Sequence, residues 1–167
     1  MLEHLKNINV FSQILIPLIA AWLGSVIATR KFKKEKLWQE KYNAYQEILT
    51  AIDAMNYWAK EMATPYMAPS IGWFDGKKPY EIFSQARRQI SKHICIGQLL
   101  ISDNVIEKLK KLDSDIWNEE YRAEDDIIWD DDPQKKEELF NEHAKNIYEI
   151  IEKYLPDIIS LSKEDLN

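Results

Sequence analysis

The feature that most constrains the fold of this chain is an uncharged apolar segment close to its N-terminus. Residues 10–29, VFSQILIPLIAAWLGSVIAT, contain no charged side chain. As a helix rising about 1.5 Å per residue, the segment spans about 30 Å, the thickness of a bilayer core. A cleaved signal peptide has its basic residues before the apolar run, whereas here they follow it. The segment therefore predicts an uncleaved transmembrane helix.

The charges that flank this segment predict its orientation. One basic residue, Lys6, precedes it, and five follow at once: Arg30, Lys31, Lys33, Lys34 and Lys36. The positive-inside rule places the flank with more Lys and Arg in the cytoplasm. We predict a single-pass protein of the bacterial inner membrane, with its N-terminus outside and its C-terminal domain in the cytoplasm. The single cysteine, Cys95, is expected to be a buried free thiol in that reducing compartment.

One face of the apolar segment consists of small and polar residues. Ala20, Gly24 and Ala28 recur every four residues, a spacing that lets helix backbones approach closely. The Gln13 amide would need a polar neighbour or water inside a bilayer. The segment is either a dimerising anchor or one wall of an oligomeric pore. For the pore we predict the lining residues Asn9, Gln13, Pro17, Ala20, Gly24 and Ser25. The cytoplasmic vestibule would be ringed by Arg30, Lys31, Lys33 and Lys34.

The rest of the chain has the apolar periodicity of a helical bundle. Apolar residues recur at intervals of three or four, from Leu37, Trp38 and Tyr42 to Met62, and again in three later stretches. No Pro or Gly occurs between Phe32 and Met62, so we expect the membrane helix to continue into the cytoplasm with little or no break. Asp103 or Asn104 is predicted to cap one later helix, and Asp132, followed by Pro133, is predicted to cap the last one. The segment TPYMAPSIGWFDGKKP holds three prolines and two glycines and is predicted to be a loop. We predict an all-α fold with two parts: residues 1–29, the N-terminal segment and transmembrane helix, and residues 30–167, a cytoplasmic bundle of about four helices.

The charge distribution limits the partners of the cytoplasmic domain. The net charge of the whole chain is −6. Residues 30–36 carry +4 and residues 1–29 are neutral, so residues 37–167 carry −10. A domain this acidic is a poor general binder of nucleic acid, and we expect no direct contact with it. The basic residues 77–93 and the acidic residues 119–132 indicate docking, within or between subunits, as readily as RNA binding. The acidic run lacks the spacing and the glycine of an EF-hand, so we predict no metal site and no cofactor.

Arg88 and His93 are separated by four residues, the spacing seen in HEPN-type ribonucleases. Metal-free RNA cleavage needs a histidine to move the proton of the 2′-hydroxyl and an arginine to stabilise the phosphorane. Positions five apart on a helix differ by about 140°, so the two side chains cannot both face one site in a single subunit. We interpret the pair as structural, with His93 packed in the bundle or in an interface and Arg88 paired with a carboxylate. His143 has no partner in the sequence that suggests chemistry.

In layout, the chain resembles the small membrane accessory proteins encoded beside the RNA-guided RNase of type VI-B CRISPR systems. The resemblance rests on one N-terminal membrane helix, a basic juxtamembrane cluster, a small helical domain and the Arg88–His93 pair. It implies a HEPN-like domain and a function in antiviral defence, with the RNA-guided RNase as the functional partner.

The residues and this resemblance together leave two main hypotheses for the function, and a plain membrane anchor for partner recruitment is a third. We predict a non-enzymatic homo-oligomeric pore that depolarises the inner membrane and so enhances RNA-guided RNase interference. The alternative is a membrane-tethered HEPN ribonuclease that uses Arg88 and His93.

Overall fold

The computed structural model describes the backbone of residues 2–63, 79–128 and 132–167. The side chains of residues 2–16, 79, 124–128 and 133 lie outside the described residues, and so does most of the predicted loop, residues 64–78.

The described chain is helical throughout. Its elements are α1 (Leu2–Met62), α2 (Pro79–Ile96), a single 3₁₀ turn (Gly97–Leu99), α3 (Asp103–Ile128) and α4 (Pro133–Leu166). No strand occurs in these ranges, and the prediction of an all-α bundle is confirmed. As expected from the absence of Pro and Gly between Phe32 and Met62, α1 continues without interruption from the apolar segment to Met62. Among the residues that the structure describes, no helix has a stretch long and apolar enough to cross a membrane.

The chain separates into two compact units, Met1–Glu40 and Lys41–Asn167. The predicted boundary after residue 29 follows the charge pattern instead, and it stays a prediction. The sequence periodicity also assigned Leu37, Trp38 and Tyr42 to the packed face of the bundle, and this was wrong, because all three are exposed. Leu37 and Trp38 precede the second unit, and Tyr42 occupies a turn of α1 whose buried positions are Ala44 and Tyr45.

The core of the second unit is centred on Trp58 of α1. Its indole ring lies 4.4 Å from the ring centroid of Phe83 on α2 and 6.1 Å from that of Phe140 on α4. Each fully buried side chain of this size stabilises the fold by about 1.5–3 kcal/mol relative to an exposed one. The other large, fully buried side chains recur at helical spacing on all four helices: Tyr45, Ile48, Ile52, Met55, Ile90, Leu109, Leu112, Ile116, Ile147 and Ile151.

The starts of α3 and α4 depend on contacts of different range. The Asp132 carboxylate accepts a hydrogen bond from the backbone N–H of Gln134 at 3.0 Å and Pro133 follows it, which confirms the predicted cap of α4. For α3 the predicted caps, Asp103 or Asn104, were wrong by one or two residues. The backbone N–H groups of Val105 and Ile106 in the first turn instead donate to the carbonyl of Ser102. The N–H of Ser102 in turn donates to the carboxylate of Asp165, 63 positions away.

Asp165 joins the C-terminal end of α4 to α1 and α3. Its carboxylate accepts hydrogen bonds from Ser102 N–H at 3.1 Å, from the Lys41 ammonium at 2.8 Å and from the Tyr45 hydroxyl. Burial by itself would raise the pKa of Asp165, but these donors together lower it. Burial and the neighbouring carboxylate raise the pKa of the Tyr45 hydroxyl. Three helices therefore converge on one ionised carboxylate.

Asp165→Asn is expected to lower the free energy of unfolding by about 2 kcal/mol at pH 7, because the variant loses a charge-assisted acceptor for three donors. Folding lowers the pKa of Asp165. Its contribution is therefore complete above the unfolded pKa of about 3.9 and is lost as the pH falls through the folded pKa. The measurement is urea denaturation of the full chain in detergent, followed by near-ultraviolet circular dichroism.

The control for this prediction is Asp157→Asn. Asp157 pairs with Lys108 at 2.5 Å on the exposed side of the bundle, and such pairs are worth under about 1 kcal/mol. Equal losses of stability in the two variants would contradict the assignment of Asp165 as a buried acceptor.

Candidate functional site

α2 places Arg88 and His93 in different environments. The His93 side chain is buried, with 8% of its surface exposed, and its Nε2 lies 3.1 Å from the Glu47 carboxylate on α1. The Gln89 amide donates to the same carboxylate at 2.9 Å. Arg88 is exposed and lines a groove that does not include His93. Within one subunit, the two residues of the motif do not share a site.

On α2 the arginine that pairs with carboxylates is Arg87. The expectation that Arg88 pairs with a carboxylate was wrong. The Arg87 guanidinium lies 3.2 Å from the Asp113 carboxylate and also pairs with Glu120. It also lies over the ring of Trp117, 5.3 Å from its centroid. One residue earlier on α2 means a rotation of about 100°, which turns Arg87 towards α3 and leaves Arg88 outside. Among the described residues, Arg88 has no ion-pair partner.

Arg88 lines a groove of about 680 Å³ that α2, α3 and α4 form. Four Tyr, Trp and Phe side chains are part of its lining, and Trp117 remains 59% exposed there. The lining that bears on chemistry consists of Tyr80, Arg88, Trp117, Tyr121, Phe140 and His143.

His143 is the candidate site residue that no pattern in the sequence indicated. Its Nδ1 lies 3.3 Å from the Glu119 carboxylate, which also accepts from Arg122 at 2.8 Å and from Asn146 at 3.1 Å. Burial lowers the pKa of His143, against the opposing effect of Glu119. Burial would raise the pKa of Glu119, but its hydrogen bonds from Arg122, Asn146 and His143 lower it.

This arrangement determines what the groove can do chemically. The lowered pKa of His143 favours an uncharged imidazole at neutral pH, beside the Glu119 carboxylate, whose lowered pKa favours the ionised form. The carboxylate favours the tautomer that donates from Nδ1, which leaves Nε2 as a proton acceptor. A neutral base and an exposed guanidinium thus line one groove. The Glu119–His143 partnership joins α3 to α4 across 24 positions, so no local spacing could have indicated it.

The predicted pore and vestibule residues all belong to α1. The side chains of Asn9 and Gln13 lie outside the described residues, and Pro17 is internal to the helix. Ala20, Gly24 and Ser25 are exposed, and no heavy atom lies within 4 Å of a Cβ built on Gly24. The predicted vestibule residues are exposed as well: Arg30, Lys31, Lys33 and Lys34. Their roles stay predictions.

Cys95 is exposed, contrary to the expectation of a buried thiol. The buried positions around it are Ile90, His93 and Gly97, and Cys95 falls on the opposite side of that turn. Within the described ranges, no group of three His, Cys, Asp or Glu side chains could hold a metal ion. No protein-family model matches the chain, and neither a curated protein nor a solved structure matches it.

Arg87→Ala and Arg88→Ala are expected to have very different effects on stability. Loss of Arg87 leaves the Asp113 and Glu120 carboxylates together without a cation, which should cost roughly 2 kcal/mol or more. Loss of Arg88 should change the free energy of unfolding by less than about 0.5 kcal/mol, since the side chain is exposed. Urea denaturation of both variants under identical conditions measures the difference. The assignment fails if Arg88→Ala is the more destabilised variant.

Proposed function

We propose that this protein is a single-pass inner-membrane protein whose N-terminal helix assembles with copies of itself into a pore. The observation that carries the proposal is the separation of large and small side chains around α1. At about 100° per residue, Leu18, Ile19, Trp22, Leu23, Val26 and Ile27 occupy one half of the helix surface. The other half carries Ala20, Ala21, Gly24, Ser25 and Ala28, while Thr29 lies beside Leu18 and Trp22.

The large side chains of this helix are not covered within the N-terminal unit that contains them. Trp22 is 66% exposed and Ile27 is 65% exposed, and Leu18, Ile19 and Leu23 are also exposed. A contiguous apolar surface of this kind is typical of a segment that contacts lipid or another protein. Lipid acyl chains fit the large half, and close helix–helix contact fits the small half. Neither half finds a partner among the described side chains of Met1–Glu40.

The pore itself rests on the polar residues of the segment. One helix cannot enclose a passage, so the proposal requires a symmetric homo-oligomer with Gln13 and Asn9 towards its axis. Opening would depolarise the membrane. In keeping with the stated resemblance, the cytoplasmic unit is a HEPN-like bundle, and the protein enhances antiviral defence by an RNA-guided RNase. No enzymatic turnover by this chain is required.

Gly24→Leu is expected to reduce the oligomeric mass in detergent and to abolish ion flux across liposomes. No heavy atom lies within 4 Å of a Cβ built on Gly24, so the added side chain begins in open space in one subunit, and we expect it to act on the contact with a neighbouring copy. Mass photometry and a potential-sensitive dye measure the two effects.

Two controls accompany Gly24→Leu. Val26→Leu adds bulk to the large half and should leave mass and flux unchanged, and Gly24→Ala separates bulk from helix propensity, since alanine is the better helix former. If Gly24→Leu keeps both the mass and the flux of the wild type, the small half is not the helix contact.

A membrane-tethered ribonuclease is a second candidate, which the common groove of Arg88 and His143 favours. The neutral imidazole would take the proton of a ribose 2′-hydroxyl, whose oxygen attacks the adjacent phosphorus. The imidazolium would return the proton to the departing 5′-oxygen, while Arg88 stabilises the phosphorane. This version replaces His93, which is buried against Glu47, with His143.

The ribonuclease candidate predicts cleavage of single-stranded RNA in the presence of a chelator. His143→Gln should reduce the rate by about 10²-fold or more, the usual contribution of a general base, and Arg88→Ala should reduce it comparably. His93→Gln should retain activity, provided that circular dichroism shows the variant folded. Absence of cleavage by the wild-type protein, with reconstituted flux intact, would leave the pore as the function.

A further inference from the structure

The basic residues that follow the apolar segment differ in their partners. Lys31 pairs with Glu35 at 3.8 Å, and Lys36 pairs with Glu40 at 3.9 Å, both along the exposed helix. Among the described residues, Arg30, Lys33 and Lys34 form no ion pair with a carboxylate. All three side chains are exposed. Two classes of cation are therefore interleaved within seven positions of one helix.

The unpaired cations share a face with the large apolar residues. At about 100° per residue, Arg30 and Lys34 fall within about 40° of Leu23, and Lys33 falls within about 20° of Val26 and Trp22. Leu37, which is exposed, continues the same face one turn later. Lys31 lies instead in line with Ala20 and Gly24, on the small half of the helix. The helix thus carries large apolar side chains and then unpaired cations along one side.

We propose that Arg30, Lys33 and Lys34 bind the phosphate groups of anionic phospholipids in the cytoplasmic leaflet. The inference rests on the proposed membrane anchor. It also revises the predicted vestibule, because three of its four cations, Arg30, Lys33 and Lys34, would face lipid headgroups rather than the passage. A lipid is the one partner that presents acyl chains and an anionic headgroup in this order along a helix. Its chains would cover Leu23 and Val26, and its phosphate would meet the cations that follow.

Physical chemistry supports this placement. Lys and Arg extend apolar stems along a membrane surface while their charges reach the headgroups. Each basic residue near an anionic surface strengthens binding by about fivefold at physiological ionic strength. A cation already neutralised by a glutamate four residues away contributes less of this attraction. The unpaired residues should therefore carry most of the selectivity for anionic lipid.

The test compares two double variants of the full chain that remove equal charge from the same helix. Detergent-solubilised Lys33→Gln/Lys34→Gln and Lys31→Gln/Lys36→Gln are titrated with phosphatidylglycerol and, separately, with phosphatidylcholine. Native mass spectrometry counts the bound lipid. We expect affinity for phosphatidylglycerol to fall by about fivefold per removed cation in the first variant. It should stay within about twofold of wild type in the second, and phosphatidylcholine binding should not change in either.

Flotation with phosphatidylcholine vesicles separates this inference from the membrane anchor. All three proteins should float, and a wild-type protein that does not float overturns the anchor itself. Flotation with equal loss of phosphatidylglycerol affinity in both variants, or with no loss, overturns the lipid site and leaves the anchor standing. A changed oligomeric mass in the first variant with unchanged lipid affinity also overturns it, because the cations would then contact acidic residues of another copy.

Discussion

The packing of Trp58 is the interaction on which the geometry of the helical unit depends. Its ring is fully buried and meets Phe83 and Tyr80 of α2 on one side and Phe140 and His143 of α4 on the other. A single side chain of α1 thus sets the separation of two helices that are far apart in sequence. Its indole N–H has no acceptor among the described residues, a cost of about 1–3 kcal/mol that the surrounding aromatic contacts must offset. Because Tyr80, Phe140 and His143 also line the groove beside Arg88, the core and the candidate site share a wall.

Residues of the same type that lie close together in the sequence have different surroundings here because a helix turns by about 100° at each position. Arg87 is held by two carboxylates and the face of Trp117, while Arg88 remains exposed at the groove. The same rotation separates Lys31, paired with Glu35, from the exposed Lys33. Charge counts along the sequence treat these residues as equivalent. Only the helical phase, together with the position of each nearby carboxylate, separates cations that stabilise the fold from cations that remain able to bind a ligand.

The sequence predicted what local periodicity and local caps determine, and little else. The continuous α1, the buried Ile48, Ile52 and Met55 and the Asp132 cap of α4 all depend on spacings within a few residues. Predictions failed where a distant residue decides. The start of α3 depends on Asp165, and the partner of His143 lies on another helix. The apolar periodicity also predicted that Leu37 and Trp38 are buried, although both are exposed. An exposed apolar face of a helix has the same sequence pattern as a buried one.

The placement of the histidines bears on whether oligomerisation could restore a site from the Arg88–His93 motif. For the pair to act across two copies, His93 of one copy would have to meet Arg88 of the other. His93, however, is buried and bonded to Glu47, so a second copy could reach it only if that contact were broken. His143 needs no such change, since it already lines the groove that contains Arg88 and its Nδ1 already faces Glu119. If this chain has any acid–base chemistry, His143 is therefore the better placed of the two residues, whatever the number of subunits.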